Sequence, residues 1–472
     1  MLNVAGIVYL GSRVTAAAGN LLALMIFTRW AGPAEYGQYL LIFAWSVIVY
    51  GFGAQWMRYA YFGVYHTRRI DEYVASLVRL LAVGLMIAAI VLASLGAVGI
   101  FEPGFFAAVL ALVCGMTVYE AAFEVARTLL NARSTALSML LRTSCTLAFG
   151  SASLWLGGGA RALALAIATA HVVAAVPSLA TFSSIRISQG SRAASLHILS
   201  YGWPLLLSFG INAVAGSMDR LMLAHYLGAA ILGPYGVVAD VLRQSFAVFG
   251  ETIAFSLITV AKTNANQGNF DAANDALQKS FNACLTVAVF GAAFFIVFGG
   301  VALRMILKPE FIAPTQDLIP IFAIAIAFAT MHNFYFAQVI YFTHASHLGL
   351  VISILSMVVS TGLSVLLVPS YGAHGAAFAF MGANILSCIA FMVLGRRWYR
   401  LPIDLAGLGE ISLLGILFLL FAQFSAHLFA APTVVLISNA LAFVLLAAVA
   451  VHRFALWSKT PHRLAGARTP VG

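Results

Sequence analysis

The residues of this sequence that could do chemistry are polar and charged side chains set inside long apolar stretches. Arg13 lies about ten residues into the first such stretch, and Asn20, seven residues later, falls on the same face of a helix. An unpaired cation at that depth of a bilayer costs about 2.5 to 3.5 kcal/mol. Arg13 is therefore expected to face either a polar cavity, where a guanidinium fork can bind anionic oxygens, or an ion-pair partner.

Two further arginines extend this pattern along the chain. Arg142 lies about seven residues into the fifth apolar stretch, and Arg58 lies at the end of the second. Both are candidates to line the same interior as Arg13. For Arg58 the alternative is a side chain that reaches out of the hydrocarbon toward lipid headgroups.

A polar stripe marks the seventh apolar stretch. Ser208, Asn212 and Asp219 follow one another at helical spacing, and Arg220 lies beside the acidic end of the stripe. The functional interpretation is a cavity wall or a protonation site. The structural interpretation is an ion pair of Asp219 that positions the end of a helix, and the sequence leaves both open.

The eighth stretch carries Asp240 and Arg243 three residues apart, with Glu251 on a nearby face. Ionisable groups inside membrane spans usually mark transport pathways, proton relays or paired contacts. Asp240 and Glu251 are therefore candidates for ion coupling. Neutralisation of Asp240 by Arg243 on the same helix is the alternative.

The fourth stretch shows a similar one-sided pattern. Glu120, Glu124 and Arg127 follow each other at spacings of four and three residues, so they share one helical face. Glu120 and Glu124 are candidates for ion coupling by the same argument. Neutralisation of Glu124 by Arg127 within the helix is again the alternative.

The elements that must position these side chains follow from composition. Apolar residues make up 62% of the 472 residues and charged residues only 8%, whereas soluble chains carry about a quarter charged residues. Runs long enough to span a bilayer recur along nearly the whole chain. The sequence predicts fourteen transmembrane helices, at residues 3–28, 37–58, 75–98, 104–127, 135–156, 162–183, 203–226, 232–258, 280–303, 319–342, 349–368, 375–395, 408–426 and 433–452.

The basic residues predict the orientation of these spans. The net charge is +10, but the basic residues lie in short clusters between spans and form no basic domain, which argues against a nucleic-acid partner. With a cytoplasmic N-terminus the inside connections hold far more Lys and Arg than the outside ones. The chain is therefore expected to be a bacterial inner-membrane protein with both termini cytoplasmic.

The connections argue against an enzyme. None of those predicted exceeds about 20 residues, and the longest, at 184–202 and 259–279, are read as short interfacial or solvated segments. A sugar polymerase of similar span count typically needs a sizeable outer loop. The four cysteines stand alone in apolar runs, without the spacing of a metal or redox site, so neither a metal nor an organic cofactor is expected.

Paired glycine segments indicate an internal repeat. The segment GPAEYGQY begins at Gly32, and GAAILGPY begins 196 residues later at Gly228. A second pair, GARALALA and GAHGAAFA, begins at Gly159 and Gly372. The prediction is two six-helix bundles in a parallel pseudo-twofold repeat, at 1–185 and 196–397, followed by two further helices at 405–456 and a cytoplasmic tail at 457–472.

Three segments resemble motifs of the polysaccharide-transporter branch of the multidrug/oligosaccharidyl-lipid/polysaccharide exporter superfamily. The segment RWAGPAEYGQY from Arg29 is similar to the R-x-x-G-P-x-E-Y-G pattern between the first two helices. DRLML from Asp219, with the GPY that ends at Tyr235, looks like its counterpart in the second half. LVPSYGAHGAA from Leu367 is similar to the L-x-P-x-Y-G-x-x-G-A-A pattern.

The resemblance implies a flippase that moves undecaprenyl-diphosphate-linked oligosaccharide units to the periplasmic leaflet for O-antigen, capsule or exopolysaccharide. Polymerases and glycosyltransferases of the same pathway would be its partners, besides membrane lipids. The alternatives are the peptidoglycan-precursor flippase, a drug exporter of the same superfamily, or a polysaccharide polymerase. Arg13 stands where coupled drug exporters often place an acidic residue, which disfavours drug export. The substrate contacts expected on this basis are Arg13, Asn20, Arg58, Arg142, Asn212, Asp219, Arg220 and Arg243.

Overall fold

The computed structural model describes residues 4–66, 69–99, 102–129, 131–185, 190–342 and 346–455. The side chains of residues 4–14 and of a few residues elsewhere, at 103, 132, 184, 255, 266, 341, 346, 347, 454 and 455, are not described. The described ranges are helical with short connections and contain no strand. Arg13 falls on the first helix, but its side chain lies outside the described part, as does the predicted tail at 457–472.

Sixteen α-helical segments make up the described chain. The first eight are α1 Val4–Trp30, α2 Pro33–Tyr50, α3 Trp56–Val64, α4 Ile70–Ala97, α5 Pro103–Thr128, α6 Ala132–Trp155, α7 Gly159–Leu179 and α8 Arg192–Leu227. The others are α9 Ala229–Ile253, α10 Thr259–Asn266, α11 Phe270–Ile306, α12 Pro309–Ile312, α13 Ile319–Phe334, α14 Ser346–Gly395, α15 Leu405–Leu428 and α16 Pro432–Ala455. Single π-helical turns, Gly51–Gln55 and Ala254–Ile258, join α2 to α3 and α9 to α10.

The helices have the length and composition of membrane spans. Within the described ranges, eleven are long and apolar enough to cross a bilayer, so the protein is an all-helical, multi-pass membrane protein, as the sequence predicts. One of the eleven, Leu348–Gly395, holds two predicted spans, because the chain bends at Gly372 with φ 57° and ψ −131°. Helices α1 and α6 lie on two more predicted spans. The count of fourteen remains a prediction.

Several helices are longer than hydropathy indicates. The seventh span was expected to begin at residue 203, but α8 begins at Arg192, where the Ser191 hydroxyl caps it by accepting the Ala194 amide at 3.1 Å. The expected loop at 259–279 contains α10 and the first turns of α11, which is capped by Asn269. Polar helical turns beyond the apolar part of a span escape a hydropathy criterion, because that criterion reads only the apolar part.

The two glycine segments that start the predicted repeat are in direct contact. A Cβ atom on Gly37 of α2 would lie 1.9 Å from the carbonyl oxygen of Ala229. Reciprocally, a Cβ atom on Gly233 of α9 would lie 2.0 Å from the carbonyl oxygen of Pro33. Glycine is therefore required at both positions for the backbones of α2 and α9 to cross this closely. The contact is reciprocal between equivalent positions of the two segments, as a twofold relation would require.

We call this end of the bundle, where α1 gives way to α2 and α8 gives way to α9, the glycine end. Successive long helices run in alternating directions, so α4 and α6 also finish at the glycine end, whereas α3 and α5 finish at the opposite end. Contacts agree with this alternation: a Cβ atom on Gly159, after α6, would lie 3.0 Å from a carboxylate oxygen of Glu35 near the start of α2.

The last two long helices pack against one side of the remainder. α15 and α16 contact each other and α11, with Phe418 and Phe443 stacked among the phenylalanines of α11. Asp404 caps α15 by accepting the Gly407 amide at 2.9 Å and also accepts the Asn282 amide from α11 at 2.9 Å. The pair is thereby tied to the body of the protein at its first residue.

Candidate functional site

Two groups of charged side chains lie within the helix bundle. The first, which we call the N cluster, consists of Arg58 on α3, Glu120, Glu124 and Arg127 on α5, and Arg142 on α6. The second, the C cluster, consists of Asp219 and Arg220 on α8 and of Tyr235, Asp240 and Arg243 on α9. Both are assembled from side chains of different helices, so neither exists before the helices pack.

The clusters lie toward opposite ends of the bundle. Glu120 lies eight residues before the end of α5 at Thr128, which is opposite the glycine end. Asp219 lies eight residues before the end of α8 at Leu227, which is at the glycine end. At 1.5 Å per residue, each carboxylate is about 12 Å from its helix end, within the depth of a bilayer.

Arg58 joins α3 to α5 in the N cluster. Its Nη1 atom donates to Oε2 of Glu120 at 2.7 Å and lies 3.8 Å from Oε2 of Glu124. The guanidinium also lies over the ring of Tyr59, 4.6 Å from its centre. The Arg58 side chain is 14% exposed and is paired, so the alternative of a side chain extended to headgroups does not describe this arrangement.

Glu124 is the most enclosed carboxylate of the N cluster, with a side chain only 4% exposed. Arg127 donates to Glu124 Oε1 from Nε at 3.1 Å and from Nη2 at 2.5 Å. The guanidinium of Arg127 lies over the ring of Phe62, 4.3 Å from its centre. The pairing of Glu124 with Arg127 within α5 is therefore present, as one of the two sequence interpretations expected.

Arg142 is held loosely. Its Nη1 atom lies 3.9 Å from Oε1 of Glu120, beyond hydrogen-bonding distance, and its side chain is 28% exposed. The guanidinium lies 5.1 Å from the centre of the Tyr119 ring. An anion entering the bundle would find at Arg142 a cation whose hydrogen-bonding fork is not committed to a carboxylate.

The C cluster is closed by contacts between α8 and α9. Arg220 donates from Nη2 to Oδ1 of Asp240, and the hydroxyl of Tyr235 donates to Oδ2 of Asp219 at 2.9 Å. Asp219 and Arg220 are both buried. The nearest partner of Asp240 is thus Arg220 from the neighbouring helix, whereas Arg243, the expected partner on its own helix, lies 3.8 Å away.

Arg243 is the loosely held member of the C cluster. Its side chain is 39% exposed, and its guanidinium lies 5.4 Å from the centre of the Phe380 ring on α14. It resembles Arg142 in three respects: a carboxylate just beyond hydrogen-bonding distance, an aromatic ring beside it and partial exposure. Each cluster therefore presents one cation that can accept a further anionic partner.

Several buried polar atoms of the clusters have no hydrogen-bond partner within the described part of the chain. They are the hydroxyl of Tyr50, Nε of Arg58, Nε of Arg220 and Oδ1 of Asp219. Tyr50 lies within electrostatic range of Arg58 and Glu120. A buried donor without a partner is uncommon, and in an interior that binds ligand or water it is available for an acceptor.

The other predicted site residues either lie apart from the two clusters or have side chains that the structure does not describe. Asn20 is half-buried and Asn212 is exposed, and neither hydrogen-bonds a cluster residue among the side chains described. Glu251 is half-buried on α9, about two turns beyond Arg243. The described residues contain no group of three or more His, Cys, Asp or Glu side chains that could hold a metal ion.

The aromatic partners of the clusters were not predicted from sequence. Tyr235 completes the C cluster, Tyr119 and Phe380 flank the two loose arginines, and Tyr50 lies beside Arg58. A tyrosine inside an apolar span is a weak signal, because its ring suits a core and only its hydroxyl needs a partner. Tyr235 had one added signal, its position as the last residue of the paired segment GAAILGPY.

Comparisons with known proteins found similar proteins among solved structures only. No protein-family model matches the sequence, and no curated protein matches it. A solved structure of the lipid II flippase MurJ in an inward closed conformation is similar with a TM-score of 0.74 at 11% identity, covering 95% of this chain and 98% of that one. An inward-facing multidrug resistance MATE family transporter of the MOP superfamily is similar with a TM-score of 0.61 at 16% identity, covering 83% of this chain and 97% of that one.

A third similar structure is a MOP superfamily transporter from Pyrococcus furiosus Vc1, with a TM-score of 0.58 at 15% identity over 83% of this chain and 93% of that one. At these identities the likeness shows the fold alone: the chain shares the helical fold of these three solved structures.

Proposed function

We propose that this protein is a flippase that carries undecaprenyl-diphosphate-linked oligosaccharide units from the cytoplasmic to the periplasmic leaflet of the bacterial inner membrane. It would work by alternating access between two six-helix bundles at 1–185 and 196–397, and it would serve O-antigen, capsule or exopolysaccharide synthesis. The three sequence motifs and the exporter fold support this assignment. It is the polysaccharide branch of the superfamily that the motifs favour.

The observation that carries the proposal is a cationic surplus within the two clusters. They contain five arginines and four carboxylates. Arg142 and Arg243 are the loosely held cations, one in each cluster. A carrier of cationic drugs would need the opposite surplus, so this interior suits an anionic cargo.

The cargo makes a matching physical demand. Moving an unpaired diphosphate through hydrocarbon would cost tens of kcal/mol, because its charge would lose its hydration. Arginines at membrane depth replace that hydration with bidentate hydrogen bonds. We propose that Arg142, Arg58 and Arg243 contact the diphosphate, that Arg13, Asn20 and Asn212 extend the polar path, and that Asp219 and Arg220 support the α8–α9 contact.

The test replaces each loose arginine in a strain that lacks its own oligosaccharide flippase. Arg142→Gln and Arg243→Gln should each lower polymer export about tenfold or more, since each removes a charged bidentate contact. Arg142→Lys should retain part of the export, because lysine keeps the charge but loses the fork. Arg453→Gln is the matched control, because it breaks a bidentate Arg–Glu pair that is exposed on α16.

The amount of protein in the membrane is measured beside export, so that loss of function is separated from loss of protein. Normal export by both Arg142→Gln and Arg243→Gln at normal protein levels would contradict the proposal. Failure of the wild-type chain to support export in any of a panel of O-antigen, capsule and exopolysaccharide strains would contradict it more directly.

A second candidate function is translocation of the peptidoglycan precursor lipid II. It is favoured by the similarity to the lipid II flippase structure, which covers 95% of this chain, whereas the MATE structure covers 83%. Lipid II also carries a diphosphate, so the same arginines would serve. Rescue of a strain depleted of its lipid II flippase, without rescue of polysaccharide export, would favour this second function.

A further inference from the structure

The two carboxylates of the N cluster are held with different strength. Glu124 is almost fully enclosed, accepts two hydrogen bonds from Arg127 and lies 3.8 Å from Arg58. Glu120 is 23% exposed, accepts one hydrogen bond from Arg58 and has Arg142 only at 3.9 Å. Glu124 is thus a fixed part of the cluster, whereas Glu120 can leave its partners at lower cost.

Glu120 also stands between arginines of two different helices. Its Oε2 atom faces Arg58 of α3, and its Oε1 atom faces Arg142 of α6. Two anionic oxygens on one centre, each directed at one guanidinium, are what a phosphate group also presents. The carboxylate therefore occupies the place that a phosphate would take between the same two cations.

The surroundings offer more hydrogen-bond donors than Glu120 uses. Nε of Arg58 and the hydroxyl of Tyr50 are buried, and neither has a partner within the described part of the chain. A carboxylate brings two oxygens, whereas a phosphate or diphosphate brings more, with greater charge. The donor set around Arg58 is consequently better matched to a phosphate than to the carboxylate that it holds.

We infer that Glu120 is the internal counter-anion of the substrate site. In the empty transporter its carboxylate pairs with Arg58 and lies 3.9 Å from Arg142, and a phosphate group of the cargo displaces it. When the cargo leaves, the Glu120 carboxylate returns to the two arginines, which prevents them from retaining the cargo. This inference rests on the proposed function, and it makes Glu120 a positioning residue that sets affinity and release.

The consequence is that affinity and turnover should change in opposite directions. Glu120→Gln removes the competing charge, so a diphosphate should bind about tenfold more tightly. Release should slow by a similar factor, so export should fall although binding improves. Glu120→Asp keeps the charge on a shorter side chain and should give an affinity between those of the wild type and Glu120→Gln.

The experiment uses the full-length protein in lipid nanodiscs with geranylgeranyl diphosphate as the probe and geranylgeraniol, which lacks phosphate, as the comparison compound. Dissociation constants are measured for the wild type, Glu120→Asp, Glu120→Gln, Glu124→Gln and Arg142→Gln. Polymer export in cells is measured for the same variants. Glu410→Gln, which removes an exposed partner of Arg453, is the matched control and should bind as the wild type does.

The outcomes separate this inference from the proposed function. If the wild type binds the diphosphate, Arg142→Gln loses it and Glu120→Gln binds no more tightly than the wild type, the inference is wrong and the proposed function stands. If the wild type does not prefer the diphosphate over the alcohol, both fail. If Glu124→Gln raises the affinity for the diphosphate as much as Glu120→Gln does, the effect comes from the loss of any nearby negative charge. That result would also contradict the inference.

Should Glu120→Gln fail to accumulate because Arg58 is left uncompensated, Glu120→Asp carries the test by itself. A severalfold gain in diphosphate affinity with reduced export is then the expected result. An affinity equal to or weaker than that of the wild type would overturn the inference. The thermal midpoint of each variant, measured without ligand, shows whether the compared proteins are folded.

Discussion

The N cluster and the C cluster satisfy buried charge in two different ways. In the N cluster three arginines face two carboxylates, and Arg142 keeps its fork uncommitted. In the C cluster two arginines face two carboxylates, and the Arg220–Asp240 and Tyr235–Asp219 contacts tie α8 to α9. The N cluster thus has one positive charge in excess, whereas the C cluster is balanced overall and offers an external anion only the loosely held Arg243.

Their positions agree with this division. The C cluster lies near the glycine end, within electrostatic range of Tyr36 and Tyr39 on α2, where α2 and α9 cross at Gly37 and Gly233. The N cluster lies toward the other end, on α3, α5 and α6. The paired charges of Asp219, Arg220 and Asp240 therefore hold α8 to α9 at the glycine end, whereas the loosely held Arg243 and Arg142 are the groups that can take an external anion.

The largest expected effect is at Arg220, whose side chain is only 6% exposed. Arg220→Gln leaves Asp240 with Arg243 alone at 3.8 Å, so we expect a loss of about 3–5 kcal/mol of stability and little protein in the membrane. Arg142→Gln should accumulate normally, because its pair with Glu120 is loose. Immunoblots of membranes and thermal midpoints in detergent test this contrast, and equal accumulation of the two variants would break the comparison.

A double replacement tests whether the Arg220–Asp240 pair has only a structural role. Arg220→Leu together with Asp240→Leu removes both charges, so most of the lost stability should return, since a buried pair contributes less than its disruption costs. Export should also return if the pair is purely structural. Recovered protein without recovered export would instead place Arg220 in the substrate path.

The second effect concerns the helix crossing beside the C cluster. Gly37→Ala or Gly233→Ala places a methyl group about 2 Å from a carbonyl oxygen of the other helix, which forces α2 and α9 apart. We expect each change to cost about 1–3 kcal/mol, measured as a lower thermal midpoint. The double variant should cost less than the sum, because one separation relieves both contacts.

Gly216→Ala on α8 is the matched control for the crossing, because nothing lies within 4 Å of the added Cβ atom. It should leave the thermal midpoint unchanged or raise it slightly, since alanine is the better helix former. A loss from Gly216→Ala as large as from Gly37→Ala would show that the effect is not specific to the contact between α2 and α9.

The sequence was sufficient to locate the interior charges and the helices that carry them. An ionisable residue inside an apolar run is conspicuous, and a pair on one helix, such as Glu124 and Arg127, follows from spacing alone. Pairs between residues on different helices could not be predicted from spacing. For Asp240 the one ion-pair partner that the sequence offered was Arg243 on its own helix, but its closest contact is Arg220, because helix packing decides which of two cations comes nearer.

The ends of the helices also could not be predicted from the sequence. Residues 192–202 and 259–266 are polar enough to fail a hydropathy criterion, yet they continue α8 and α9–α10 as helix. Their helicity depends on caps such as Ser191 and on packing, as in the hydrogen bond between Tyr73 and His197 at 2.9 Å. Periodicity of apolar residues carries no information about such turns.

The Asp404 carboxylate is stabilised in a third way, by hydrogen bonds without an ion pair. Its replacement is expected to give the smallest of these effects. Burial alone would raise the pKa of Asp404, but the Gly407 amide, the side chains of Asn282 and Gln278 and the Ala406 amide donate to it and lower that pKa below its ordinary value. The ionised form therefore stabilises the attachment of α15 to α11.

The sign of the pH dependence follows from that shift. Because the folded-state pKa lies below the unfolded value of about 3.9, the contribution is fully present above that pH and is lost as the pH falls through the folded pKa. Asp404→Asn keeps a capping oxygen but cannot ionise, so it should lower stability by about 1 kcal/mol or less at pH 7. The difference in thermal midpoint between the wild type and Asp404→Asn should shrink as the pH falls below about 4. A difference that is constant from pH 7 to pH 3 would show that the charge of Asp404 contributes nothing, and a difference that grows on acidification would reverse the assigned direction of the shift.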